Sequence, residues 1–77
     1  MPVEVRMPNL GYGMETGTIA AWHKAVGETV ARGEVIAEIE TDKATVEMES
    51  LQAGTLTEIV VAAGSEAAVG AVVAYLD

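Results

Sequence analysis

With 77 residues, 51% of them hydrophobic and 4% aromatic, the chain has room for one small core and therefore for one domain, residues 1–77. Twelve acidic residues against four basic ones leave a net charge of -8, which repels nucleic acid and anionic membrane surfaces and favours basic protein partners. With Cys 0 there is no disulfide, thiol nucleophile or cysteine-based zinc site, and the composition suits a reducing compartment.

The start, Met1-Pro2-Val3-Glu4, lacks both the basic and the apolar region of a signal peptide. Val3–Met7 alternates apolar with charged residues and reads as a first strand. Asn9 to Thr16 has glycines too scattered for a nucleotide-binding fingerprint and reads as a surface loop. Gly17–Trp22 is a short strand bounded by glycine. Val35–Thr41 and Ala44–Ser50 both alternate, with Val35, Ala37, Ile39 and Thr41 facing inward on one and Ala44, Val46, Met48 and Ser50 on the other. Val60–Tyr75 is alanine-rich and open to a helical reading, but Gly64 and Gly70 would each cost about 1 kcal/mol inside a helix. The strand reading is preferred there. Its apolar run, Ala67 to Leu76, is half of the roughly 20 residues that a membrane-spanning helix needs.

The chain contains one motif written twice. Gly17–Glu40 aligns without a gap on Gly54–Asp77 at a constant offset of 37, with eight of 24 positions identical. Ile19/Leu56, Trp22/Ile59, Ile36/Val73 and Ile39/Leu76 keep an apolar residue at equivalent places, and these eight residues are the expected core. Two repeats are too few for a solenoid, so two similar halves packed about a pseudo-two-fold axis are expected, as an all-β sandwich or flattened barrel of short strands.

Asp42-Lys43 falls where the alternating strands on either side would fold back as a hairpin. Asp-Lys lacks the glycine that a type I′ turn wants, so a type I turn is expected. Lys43 is one of only two lysines, with Lys24, and sits among Glu38, Glu40, Asp42, Glu47 and Glu49. Taken alone, it reads as a solvated lysine that relieves crowding of like charges. A Schiff-base or general-base role would need a dry pocket that an acidic exposed turn does not offer.

The run Glu40-Thr41-Asp42-Lys43-Ala44-Thr45-Val46-Glu47-Met48-Glu49-Ser50 resembles the lipoylation motif of the dihydrolipoamide acyltransferase component of 2-oxo acid dehydrogenase complexes. The likeness extends through Met7-Pro8 and the Gly11 loop, Glu15–Trp22, Gly27-Glu28, Gly33-Glu34-Val35-Ile36 and Gly54-Thr55-Leu56. It implies a lipoyl domain, a flattened barrel of two four-stranded sheets with Lys43 on a hairpin turn. Lys43 would carry covalently attached lipoate, added by a lipoate ligase or a lipoyl/octanoyl transferase. Glu40 and Gly33 would help that enzyme to recognise the turn, with Asp42 and Ala44 flanking it. Tyr12 and Met14, in the loop beside the turn, would contact the dehydrogenase. The implied partners are a 2-oxo acid dehydrogenase, an acyltransferase catalytic core that delivers the acyl group to coenzyme A, and dihydrolipoamide dehydrogenase. The implied location is the bacterial cytoplasm, or the mitochondrial matrix for a eukaryotic chain.

His23 lacks the Asp-Gly that follows the acyltransferase histidine in this family, since Gly27-Glu28 stand there, and is expected to be an ordinary strand residue. Trp22, with Ile59 as its equivalent, is expected in the core. The chain is thus expected to be a non-catalytic carrier, binding no metal, and to be an excised domain or a free-standing carrier. The rivals are a biotinyl carrier, which presents its lysine between two methionines where Asp42 and Ala44 stand here, and an unmodified hairpin adaptor.

Overall fold

Eight short strands carry the apolar pattern into two layers. The computed structural model describes residues 2–9, 13–42 and 44–77. The strands are β1 (Val3–Arg6), β2 (Thr16–Trp22), β3 (Thr29–Val30), β4 (Val35–Glu40), β5 (Thr45–Glu49), β6 (Gly54–Ile59), β7 (Glu66–Ala68) and β8 (Val72–Leu76). They form two four-stranded sheets, in the orders β1-β8-β6-β3 and β5-β4-β2-β7, with every pairing antiparallel. The alanine-rich segment is strand, turn and strand, because each of its glycines closes a turn instead of sitting in a helix.

The two orders are one order. A shift of 37 residues carries β2 onto β6, β3 onto β7 and β4 onto β8, and β1 lies against β8 as β5 lies against β4. The irregularities repeat as well. Ladder register slips at Ala20 on β2 and at Thr57 on β6, and again at Ile36 on β4 and Val73 on β8, each pair 37 apart. A bulge places two successive residues opposite one and bends the strand. The bulges at Ile36 and Val73 let Ile36 with Ala37, and Val73 with Ala74, all point into the core. Strict alternation from Val35 to Thr41 is therefore corrected: Ile36, Ala37 and Ile39 are buried, while Val35 and Thr41 are half-buried.

Six of the eight expected core residues, Ile19, Ile36, Ile39, Leu56, Val73 and Leu76, are fully buried. Trp22 and Ile59, at equivalent strand ends, are half-buried against that core, and the Trp22 indole donates its N–H to the Val61 carbonyl at 2.9 Å. Met7, Val30, Met48 and the small residues Ala37, Ala67 and Ala74 complete the interior.

The strands are joined by tight turns of one design. Ala25–Glu28, Ala31–Glu34, Ala62–Ser65 and Ala68–Ala71 each close with the fourth residue donating its N–H to the first carbonyl. Gly33 is the third residue of its turn and has φ 84°, a left-handed conformation that residues bearing a Cβ resist. The Glu34 carboxylate then accepts from the Ala31 N–H at 2.9 Å, tying the turn from its other side.

Candidate functional site

The β4–β5 hairpin pairs Ala37 with Met48, Glu38 with Glu47, Ile39 with Val46 and Glu40 with Thr45. Past that last pair, the Thr41 N–H donates to the Ala44 carbonyl at 2.8 Å, leaving Asp42 and Lys43 between them. The Thr41 hydroxyl donates to the same carbonyl at 2.8 Å and accepts from the Ala44 N–H at 3.2 Å. Among the described residues no non-glycine has a positive φ, so Asp42 excludes the type I′ turn, which needs one at both central positions. Lys43 and Tyr12 lie outside the described residues.

Burial falls steadily toward this turn. Met48 and Ser50 are buried, Val46 is half-buried, and Asp42 and Ala44 are exposed. The hairpin thus rises out of the core, and both flanks of residue 43 are open to a protein-sized partner. Glu40 is exposed on the strand leading to the turn. The described residues that frame the turn, Thr41, Asp42 and Ala44, are small or acidic, and a closed loop with exposed flanks fits a covalent attachment point.

The other lysine is differently placed. Lys24 Nζ lies 2.8 Å from Glu34 Oε2, at the opposite end of β4 from the turn, and its side chain is only 19% exposed. Hydrogen bonding to Glu34 raises the Lys24 pKa above its ordinary value. The same bond, with the one from Ala31 N–H, holds Glu34 below its own. Lys24 is a structural cation.

Gly33 sits beside Lys24's partner, where its N–H donates to the Ser50 carbonyl at 2.7 Å. It closes the base of the hairpin, a full strand away from the turn whose recognition it was expected to assist. Met14 is half-buried, packed on the core above Gly17, where an added Cβ would stand 2.7 Å from Met14 Cε and 2.9 Å from Ile39 Cγ2. Since Thr18 pairs with Glu40, β2 begins beside the turn end of the hairpin, and Met14 emerges there. His23, just past the end of β2, has its Nε2 2.7 Å from Glu38 Oε2. Among the described residues no three His, Asp or Glu side chains gather as a metal site. The residue missed in the sequence is Thr41, whose signal was a hydroxyl three places before the far side of a turn.

Two repeats folded into paired four-stranded sheets, with a lysine-bearing hairpin turn clear of the core, define a small attachment domain. Residues 3–76 match the Biotin_lipoyl family ("Biotin-requiring enzyme"), and the chain belongs to that family. Within it the resemblance is to lipoyl domains, which are non-catalytic by themselves. The chain is similar to the solution structure of the lipoyl domain of the 2-oxoglutarate dehydrogenase complex from Azotobacter vinelandii, at 35% identity and TM-score 0.77, covering 97% of this chain and 95% of that one. It is 49% identical over 77 residues to the dihydrolipoyllysine-residue acetyltransferase component of the Rhizobium meliloti pyruvate dehydrogenase complex, covering 99% of this chain and 17% of that protein. It is also 53% identical over 66 residues to the pyruvate dehydrogenase E1 component subunit beta of the same organism, covering 86% of this chain and 14% of that protein. The chain therefore spans about a sixth or less of these curated relatives.

Proposed function

We propose that the chain is a swinging-arm carrier in which Lys43 is amidated by lipoate. The observation that carries this reading is the closed Thr41–Ala44 turn, exposed on both flanks, in a chain whose other lysine is held by Glu34. The Lys43 amine attacks the carbonyl carbon of a lipoyl group activated by ATP as its adenylate, the bond from that carbon to the phosphate oxygen breaks and AMP leaves. The amine gives up a proton, and the product is an uncharged amide. Once attached, the dithiolane supplies a disulfide that accepts electrons together with an acyl group, chemistry unavailable to a chain with Cys 0.

In this reading a lipoate ligase or lipoyl/octanoyl transferase installs the arm, reading Glu40, Asp42 and Ala44 around the turn, with Gly33 at the base of the hairpin aiding recognition. A 2-oxo acid dehydrogenase loads it, an acyltransferase core passes the acyl group to coenzyme A, and dihydrolipoamide dehydrogenase reoxidises it. Met14 and Tyr12 contribute to the choice of dehydrogenase. Tethering makes each encounter intramolecular, with effective concentrations on the order of mM. The setting is a reducing compartment, the cytoplasm of a bacterium or the matrix of a mitochondrion.

The test is incubation with lipoate ligase, lipoate and ATP, followed by intact and peptide mass measurement. One addition, at Lys43 and absent from Lys43→Arg, is the expected result, with Lys24 unmodified. A folded chain left unmodified while a known acceptor is modified would sink the reading. Biotin protein ligase in a parallel incubation separates the biotinyl alternative, against which Asp42 and Ala44 already speak by standing where methionines would.

A further inference from the structure

We propose that Thr41 is the positioning residue for Lys43, its hydroxyl fixing the backbone from which the lysine is presented; this rests on the carrier reading above. The turn needs such a tie. Asp42 and Ala44 are exposed, so burial of these two residues does not hold the turn. Nor does backbone geometry, since Asp42 does not adopt the left-handed conformation that makes an Asp-Gly hairpin turn rigid.

The hydroxyl replaces what the glycine would have given. Through the 2.8 Å bond to the Ala44 carbonyl it doubles the final bond of the ladder, which the Thr41 N–H already makes. Through the 3.2 Å bond from the Ala44 N–H it holds the amide that joins residue 43 to Ala44. Thr41 itself is anchored: it is half-buried, follows β4 directly, and its β-branched side chain has restricted χ1 freedom, which keeps the hydroxyl aimed across the turn. Serine would keep both hydrogen bonds with less rigidity, and valine would keep the shape and strand preference without either bond.

The experiment compares the unmodified domain with Thr41→Val and Thr41→Ser. Three quantities are read: thermal midpoint, exchange of the Ala44 amide proton by NMR, and kcat and KM for lipoyl addition by a lipoate ligase, followed by intact mass. The expected result for Thr41→Val is a cooperative transition within about 5 °C of wild type. Its Ala44 amide should exchange faster, and kcat should fall about tenfold with a smaller change in KM, as misaligned presentation requires. Thr41→Ser should recover most of both losses. A Thr41→Val domain modified at the wild-type rate, or one without a cooperative transition, overturns the proposal, the second because the residue would then serve the fold itself. If wild type is not modified at Lys43, it is the carrier reading that fails, and the Ala44 exchange still reports whether the hydroxyl clamps the turn.

Discussion

Gly17 shows how one hydrogen in place of a methyl joins the core to the functional end of the molecule. A Cβ there would stand 2.9 Å from Cγ2 of Ile39, which is buried and held in β4, and 2.7 Å from the Met14 methyl. Methionine can swing aside, but the isoleucine cannot without moving its strand. Gly17→Ala is expected to destabilise the domain by about 1–3 kcal/mol, measured by urea unfolding, and to displace Met14. The repeat made Gly17 and Gly54 visible as identical positions, and at both an added Cβ meets the equivalent strand residue, Ile39 or Leu76; the further neighbour differs, the Met14 methyl at Gly17 and the Asp77 backbone carbonyl at Gly54.

Between elements, the Lys24–Glu34 pair connects the segment after β2 to the turn before β4, beside the main-chain ladder that already joins these strands. Its pH dependence has two limbs. The Glu34 pKa is lowered in the fold, so its contribution is present above the ordinary glutamate value of 4.5 and is lost as pH falls through the lower folded value. The Lys24 pKa is raised, so its contribution is complete below 10.5 and is lost as pH rises through the higher folded value. Glu34→Gln should therefore melt below wild type at neutral pH, and the two thermal midpoints should converge as pH is lowered past the carboxylate range. A constant difference across that range would show that the charge of Glu34 is not what it contributes to stability.

For the whole molecule, a net charge of -8 on 77 residues is balanced by few close contacts. Ion pairs among the described residues include Arg6 with Glu4 and Lys24 with Glu34. Glu38 and Glu47 face each other directly across the hairpin, and like charges in that position are unfavourable. Self-repulsion should outweigh the exposed pairs, so added sodium chloride is expected to raise the thermal midpoint until screening is complete. A midpoint that falls with salt would mean that the pairs dominate.

The sequence by itself determined the two-fold plan, because periodicity and the offset of 37 are local and repeated: strand positions, six of the buried core residues and the place of the hairpin all follow from them. It singled out Lys43 only through the resemblance of the Glu40–Ser50 run to a lipoylation motif, since taken alone that lysine reads as a solvated one. Tertiary structure decided what depends on residues distant in the chain. The bulges that bury Ile36 beside Ala37 arise from register against β5, and the half-burial of Trp22 from the edge it occupies beside Val61. Gly33 and Glu40 look alike as neighbours of the motif, but folding sends one to the base of the hairpin and leaves the other near its tip. Thr41 became distinct from any other strand threonine only when the returning chain brought both polar groups of Ala44 to its hydroxyl.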